Sequence, residues 1–137
     1  MAAAEDIATI LAAVSGFGTI GTDVFHRLGL TDTPDAQVAC TTYGSAPPDL
    51  TMTATVGSAV TERPRVQIVA RGEMVSGGAA AAEAKAQAAW NALQNYKGTV
   101  NGTNYLYVAC LQSPFYMGKD EQGRPKFGFN VEAIHAS

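Results

Sequence analysis

The sequence has little charge, and its low charge excludes several classes of protein. Only 15% of the 137 residues are charged, the net charge is -3, and no basic cluster exceeds two residues. Proteins that bind nucleic acids or membrane surfaces carry basic patches, so this composition argues against both. No apolar run reaches the roughly 18 residues of a membrane-spanning helix. Glu5 and Asp6 stand where a secretory signal needs Lys or Arg, so we expect the protein to be made and kept in the cytoplasm.

Cysteine and histidine are also scarce, which leaves few groups for metal binding or catalysis. Cys40 and Cys110 have no further cysteine or histidine at metal-ligand spacing, and we predict that both are reduced thiols in apolar strands. His26 and His135 likewise have no ligand partner at that spacing. No G-x-S-x-G turn supports a serine nucleophile.

Two short patterns are compatible with chemistry, but each has a simpler structural explanation. Gly16, Gly18 and Gly21 match G-x-G-x-x-G, which in a dinucleotide site follows a strand and opens a helix. Here a helical pattern precedes the glycines, so we interpret them as a helix-to-strand connection. Asp120 and Glu121 are adjacent carboxylates in a glycine-containing turn, and we expect both to face solvent rather than to act as an acid–base pair. We predict no catalytic, cofactor or metal site, and hence no enzyme.

The strongest secondary-structure signal lies in residues 65–96. Val66, Ile68 and Ala70 alternate with other residues, which predicts a half-buried strand. After several glycines the period becomes helical, and Ser76 or a neighbouring glycine is suited to cap the helix, with Gly98 at its end. The apolar face of this helix is mostly alanine, which allows close approach to a sheet: Ala82, Ala86, Ala89, Trp90 and Leu93.

The flanking segments complete an α+β pattern. A first helix has apolar residues at helical spacing up to Val14 and ends at Gly16. Short strands are predicted at 23–27 and 37–43, and the Asn101–Gly102 turn predicts a hairpin between 96–100 and 105–112. A last strand at 127–134 should pair antiparallel with 105–112. We predict one domain over residues 1–137, a mostly antiparallel sheet with two helices packed on it, in the order helix-β-β-loop-β-helix-β-β-β.

Residues 44–64 form the longest predicted connection. About twenty residues is long for a connection in a compact domain, and this one contains almost no charge. Leu50 and Met52 give a faint alternation. Two interpretations stay open: a projecting arm or hairpin that becomes ordered on assembly, or a mobile surface loop.

Two arginines are the charges most suited to a fixed partner. Arg71 ends the strand before the central helix, and Arg124 stands at the start of the last strand. A guanidinium has a fork of five donors that fits a carboxylate, either in the same subunit or in a neighbouring one. These patterns by themselves indicate binding or assembly rather than catalysis.

The order of several short motifs resembles the tailed-phage tail terminator proteins, also grouped as minor capsid or tail completion proteins. The likeness covers residues 65–134 well, the first 43 residues weakly, and departs from the family at 44–64. It rests on a V-Q-I-x-x-R-G strand, a Gln-x-Pro after the hairpin and a D-E-x-G-R turn before an aromatic last strand: Val66, Gln67, Ile68, Arg71, Gly72, Gln112, Pro114, Asp120, Glu121, Gly123 and Arg124.

This resemblance implies a structural virion protein. Such a protein forms a ring, expected to be hexameric, at the head-proximal end of the tail, where it ends growth of the tube and joins the head connector. Its partners would be the major tail tube protein and a head completion protein, with DNA passing through the lumen without specific binding. Another neck or tube component remains an alternative, and a small nucleotide-binding enzyme a weaker one. The interface residues expected are Arg71, Asp120, Glu121, Arg124, Leu50 and Met52.

Overall fold

The computed structural model describes residues 3–26, 34–49 and 61–136, which form two helices and one sheet of seven strands. In chain order these are α1 Ala3–Ala12, β1 Val24–Phe25, β2 Gln37–Asp49, β3 Thr61–Arg71, α2 Gly78–Leu93, β4 Gly98–Val100, β5 Thr103–Cys110, β6 Phe115–Lys119 and β7 Pro125–Ala136. The predicted α+β class is confirmed, although the sheet accounts for much more of the domain than the helices do.

The sheet has the order β1-β2-β3-β7-β5-β4. All neighbours are antiparallel except β1 and β2, which pair in parallel. β3 occupies one edge of β7. β6 pairs with the other edge, which is the edge that β5 pairs with further along β7. The expected antiparallel pairing of the last strand with the strand after Asn101–Gly102 is therefore confirmed. The turn itself has positive φ at both residues, 49° and 83°, as a tight hairpin requires.

The core lies on one face of the sheet, where the alternation of β3 places its apolar residues. Val66 and Ile68 are fully buried, as are Val131 of β7 and Ile7 of α1. Both helices contribute to the same core cluster, α2 through its alanine face and Leu93. Because alanine has a short side chain, the backbone of α2 can lie close to the strands.

The start of α2 depends on two glycines that approach backbone atoms. A Cβ on Gly72 would lie 2.2 Å from the carbonyl oxygen of Gly78, and one on Gly78 would lie 1.9 Å from that of Glu73. The N-cap is Gly77 at φ 87°, which agrees with a glycine cap. The prediction that Gly98 ends the helix is wrong: α2 stops at Leu93, and Asn95 takes the left-handed conformation with φ 62°.

Other boundaries differ from the sequence-based predictions for local reasons. α1 ends at Ala12, so Val14 falls in the following turn, 37% exposed. β6 was expected to be part of a connection, but its Phe115 and Tyr116 pair with β7. In the segment where a hairpin and a loop were both left open, residues 44–49 and 61–64 extend β2 and β3 as paired antiparallel strands. Residues 50–60, including Leu50 and Met52, lie outside the described part of the chain.

Candidate functional site

Three connections meet at one end of the sheet and hold a group of charged side chains. Residues 34–36 lead into β2, residues 72–77 leave β3 and residues 120–124 lead into β7, and the register aligns these strand ends. The side chains concerned, called the arginine cluster below, are Arg71, Arg124, Asp35 and Asp120.

Arg71 connects two of these segments. Its side chain is only 3% exposed. Nε donates a hydrogen bond to the carbonyl oxygen of Asp35 at 2.9 Å, and Nη2 donates to that of Pro34 at 2.8 Å. Nη1 lies 3.6 Å from Oδ2 of Asp120. The planar fork of donors thus joins the residues before β2 to the turn before β7.

Arg124 binds both carboxylates of the cluster. Its Nε donates to Oδ2 of Asp120 at 2.7 Å, and its Nη1 donates to Oδ1 of Asp35 at 2.9 Å. Oδ1 of Asp120 accepts hydrogen bonds from the backbone N–H of Arg124 at 2.8 Å and of Gln122 at 3.0 Å. Gly123, at φ 80°, allows the tight turn that brings these groups together.

The electrostatics keep the central pair charged. Burial acts to raise the pKa of the Asp120 carboxyl, but hydrogen bonds from Arg124 and Gln122, with the charge of Arg124, lower it below its usual value. Burial acts to lower the pKa of the Arg124 guanidinium, whereas its bonds to Asp35 and Asp120 raise it overall. Both shifts favour the charged forms of Arg124 and Asp120 in their ion pair.

The structure brings three of the six predicted interface residues together, and it does so within the subunit. Arg71, Arg124 and Asp120 all belong to the arginine cluster, so each arginine has a carboxylate of the same chain within ion-pair distance. The expectation that Asp120 faces solvent is wrong, because its side chain is 18% exposed and ion-paired. Glu121 is exposed in the turn, as expected.

Sequence reasoning missed the contribution of the segment before β2. Pro34 and Asp35 are not among the predicted site residues, yet their carbonyl oxygens accept from Arg71, and the Asp35 carboxylate binds Arg124. Gln37 also donates to Pro34 through Nε2 at 2.6 Å. The two positions lie more than thirty residues from Arg71 in sequence, so only the β2–β3 register reveals their proximity.

A second polar cluster lies in the core. Asp6 of α1 is 1% exposed, and Tyr105 of β5 donates its hydroxyl hydrogen to Oδ2 of the Asp6 carboxyl. Asn101 donates through Nδ2 to Oδ1 at 2.8 Å. Burial, and then the hydrogen bond and charge of Asp6, raise the pKa of the Tyr105 phenol well above its usual value. This Asp6 cluster joins the first helix to the hairpin formed by β4 and β5.

Two strands of the sheet, β2 and β6, have an open edge within the described residues. β1 covers only Val38 and Ala39 of β2, so from Thr41 onward no strand in the described residues pairs with the outer edge of β2. The outer edge of β6 is likewise unpaired within the described residues. Exposed aromatic residues mark both edges, with Tyr43 50% and Tyr116 53% exposed. Open edges are the usual sites at which one chain adds to the sheet of another.

The geometry provides little for catalysis. In the described residues, no three His, Cys, Asp or Glu side chains come together as metal ligands. Gly16, Gly18 and Gly21 follow α1 and lead toward β1, the reverse of the order in a dinucleotide site. Neither described helix combines the length and hydropathy needed to span a bilayer.

A family model for bacteriophage tail terminator proteins matches residues 14–136. The chain belongs to the bacteriophage tail terminator family. The resemblance drawn from residues 65–134 is therefore confirmed, and the match extends over nearly the whole chain, including residues 44–64. This is a family of structural phage tail proteins rather than of enzymes. No curated protein matches the chain.

The fold of this tail terminator is also found in a solved structure. A chain from the virion of a native gene transfer agent particle superposes with a TM-score of 0.63 at 14% identity, covering 98% of this chain and 95% of that one. At this identity the likeness shows a shared fold. The shared fold extends over nearly the whole of both chains, since both coverages are nearly complete.

Proposed function

We propose that this tail terminator forms a six-membered ring at the head-proximal end of a phage tail. There it stops polymerisation of the tube and joins the tail to the head connector. Family membership supports the setting, and the virion origin of the structural neighbour agrees with it. The observation that carries the ring is the pair of open edges, β2 and β6, on opposite sides of one sheet.

The directions of the strands suit a head-to-tail ring. From β2 through β3 and β7 to β6, every neighbour is antiparallel, so β6 runs opposite to β2. If β6 of one subunit pairs with β2 of the next, the alternation continues and all subunits keep the same orientation. A head-to-tail contact repeated in this way closes into a ring when its rotation divides a full circle.

The offset between the two edges agrees with a closed arrangement. Phe115 of β6 pairs with Gly128, Gly128 pairs with Val69, and Val69 pairs with Ala39 of β2, so Phe115 and Ala39 are at the same level of the sheet. The open part of β2 begins further along, at Thr41. The centre of β6 and the centre of the open part of β2 are therefore displaced along the strand direction by about six residues, or roughly 20 Å. The four strand spacings from one β2 to the β2 of the next subunit add up to about 19 Å. Strands tilted by about 45° to the ring axis produce this displacement, and closed barrels have tilts of 35–45°.

Termination follows from this geometry. In the ring, the lateral edges of each subunit are occupied by its neighbours, so further growth requires an axial surface that accepts another tube ring. The terminator binds the last ring of the major tail tube protein on one side and a head completion protein on the other. DNA passes through the lumen without sequence-specific contacts. The protein is thus a virion component that assembles in the host cytoplasm.

The predicted interface residues take different roles in this proposal. Arg71, Arg124 and Asp120 fix the connections at one end of the sheet. In this proposal that end faces along the ring axis, so every subunit presents the same surface there. Glu121 lies on that surface. Leu50 and Met52 belong to the 44–64 segment, for which we propose contacts between neighbouring subunits or rings.

Cross-linking of the two edges tests the ring. Tyr43→Cys and Tyr116→Cys in one chain should, with a short bismaleimide, give a ladder of covalent oligomers that ends at six copies of the 14.2 kDa chain. Each single variant should give dimers at most, and the wild-type chain supplies the background from Cys40 and Cys110. A monomer in native mass spectrometry, or a ladder no longer than the controls, would contradict the ring. A ladder without an end would indicate a tube protein instead.

A further inference from the structure

The face of the sheet that lies opposite the core carries a group of partly exposed charged residues. Along β3 every second residue from 64 to 70 is buried toward the helices, whereas Arg63 and Arg65 alternate with them and are partly exposed. The register places Glu132 and Lys126 of β7 on the same side as these arginines. Both helices pack on the core side, so neither covers this surface, which is called the open face below.

Glu132 holds the two arginines of the open face in place. Nη1 of Arg63 donates to Oε1 of Glu132 at 3.3 Å, and Nε of Arg65 donates to Oε2 at 3.2 Å. The Glu132 side chain is 13% exposed, but those of Arg63 and Arg65 are 31% and 41% exposed. One carboxylate neutralises only one of two guanidiniums, so this group presents a net positive charge to its surroundings.

The open face is basic although the chain as a whole is acidic. Lys126 adds a third cation, and Glu132 is the acid among the described side chains of this face. Counting Asp49, whose backbone lies at the far end of β2, still leaves an excess of cations. Arg71 and Asp120 do not alter the balance, because they pair with each other in the arginine cluster. The chain has 9 basic and 12 acidic residues, so acids prevail on its other surfaces.

The size of the proposed ring favours an inward position for this face. Six subunits that each contribute β2, β3, β7 and β6 would close a barrel of about 24 strands, roughly 50 Å across at the spacing and tilt given above. A helix is about 10–12 Å thick, and a helix layer on the inside would leave a channel less than half as wide. On the outside the circumference is larger, and the helices of six subunits have room.

We infer that the open face lines the lumen of the ring, and that Arg63, Arg65 and Lys126 hold the phosphate backbone of the DNA that passes through it. This inference rests on the proposed function, because the ring gathers six copies of the face around one channel. A guanidinium fork fits a phosphate group as it fits a carboxylate. Phosphate contacts carry no sequence information and let a protein slide along a duplex, so DNA is held without being fixed at one position.

Binding of linear duplexes to purified rings tests the contact. Wild-type rings should bind two duplexes of unrelated sequence equally, with an affinity that falls about tenfold or more between 50 and 200 mM salt, as two phosphate contacts require. Rings of the Arg63→Gln/Arg65→Gln/Lys126→Gln variant, checked by native mass spectrometry, should bind about tenfold or more weakly at the lower salt concentration. Lys97→Gln, which removes an exposed base between α2 and β4, should leave the affinity unchanged.

Two single variants give shifts of opposite sign and do not depend on the triple variant. Lys126→Gln leaves the ion pairs of Glu132 intact and should weaken DNA binding by a smaller factor. Glu132→Gln removes the acid of the open face and should strengthen DNA binding. If the triple variant forms no ring, these two decide the question: unchanged affinity in both, or shifts of the same sign, would overturn the inference.

A closed circular DNA tests the position of the contact. A preformed ring can pass onto a linear duplex from its end but cannot thread onto a covalently closed circle, so rings should retain linear DNA and not relaxed circles. Equal retention of circles would place the basic residues outside the lumen, and wild-type rings that bind no DNA would remove the contact altogether. A preference for polyglutamate over the duplex would indicate an acidic protein as the occupant instead. A wild-type chain that forms no ring would refute the proposed function itself.

Discussion

The two polar clusters of this domain both supply hydrogen-bond partners to carboxyl groups, but the partners differ. The arginine cluster lies where three connections meet, and it pairs two guanidiniums with two carboxylates and two backbone carbonyls. The Asp6 cluster lies in the core and holds one carboxyl group with a neutral hydroxyl and a neutral amide. Ion pairs can hold a carboxylate near solvent, whereas a carboxyl group in the core needs hydrogen bonds to all of its polar atoms.

The difference suggests separate roles. The arginine cluster fixes the connections at one end of the sheet, including residues 120–124 and the neighbouring residues 72–77. The Asp6 cluster joins elements that are 95 to 99 residues apart, α1 and the hairpin of β4 and β5. One cluster fixes an exposed end of the sheet, and the other connects distant parts of the fold.

The largest expected effect comes from breaking the arginine cluster. Arg71→Ala should lower the free energy of unfolding by about 3–5 kcal/mol, the range for a broken buried ion pair. It removes a buried guanidinium, its bonds to the carbonyl oxygens of Pro34 and Asp35 and its contact with Asp120. Urea denaturation measures the change. Arg65→Ala is the matched control on the same strand: its side chain is 41% exposed and pairs with Glu132 at 3.2 Å. A surface pair of this kind should cost less than about 1 kcal/mol, and equal costs would remove the distinction.

A smaller effect is expected from the core. Tyr105→Phe keeps the ring but removes the donor to Oδ2 of Asp6, and it should cost about 1–3 kcal/mol, the usual penalty for an unsatisfied buried acceptor. Tyr107→Phe on the same strand should stay within about 0.5 kcal/mol, since Tyr107 is 39% exposed. If the two variants were equally stable, the hydroxyl of Tyr105 would contribute no more than a solvated one.

The pH dependence should separate the two clusters at opposite extremes. The lowered pKa of Asp120 means that its contribution is present above the unfolded value of 3.8 and is lost as the pH falls through the lower folded value. The raised pKa of Tyr105 means that its contribution is present below 10.0 and is lost as the pH rises above that value. Asp120→Asn should therefore reduce the acid-side slope, and Tyr105→Phe the alkaline one. Thermal melts across the pH range measure both slopes. A changed alkaline slope in Asp120→Asn, or a changed acid-side slope in Tyr105→Phe, would contradict this prediction.

The smallest effect concerns the cysteines, which should leave stability unchanged under reducing and non-reducing conditions. Both thiols are free, and burial raises the pKa of each to about 12. Native alkylation should be slow at Cys40, which is fully buried, and faster at Cys110, which is partly exposed. Mass measurement after denaturation without reductant should show two labels, and fewer would indicate a disulfide.

The sequence predicted the parts of this fold that depend on local pattern. The alternation of Val66, Ile68 and Ala70 gave β3, the alanine stripe gave α2, and Asn101–Gly102 gave the hairpin. β6 was missed because its five residues include Gly118 at φ 89° and alternate poorly, so pairing with β7 decides their conformation. The sequence left a hairpin and a loop both open for 44–64, because the extensions of β2 and β3 contain three prolines and a glycine, which are poor strand formers.

The site was predicted in part for the same reason. Arg71, Asp120 and Arg124 stand out by charge and by their positions at strand ends. Asp35 and the Asp6 cluster do not, because a residue's partners nearly a hundred positions away follow from the register of the sheet.

Electron microscopy of particles made without this gene tests the central claim most directly. If the protein caps the tube and joins it to the head, each uncapped ring still offers the surface that the next tube ring needs. We therefore predict tails of irregular and excessive length together with DNA-filled heads that lack tails, and wild-type protein supplied from a plasmid should restore both. Tails of normal length already attached to heads would contradict the account.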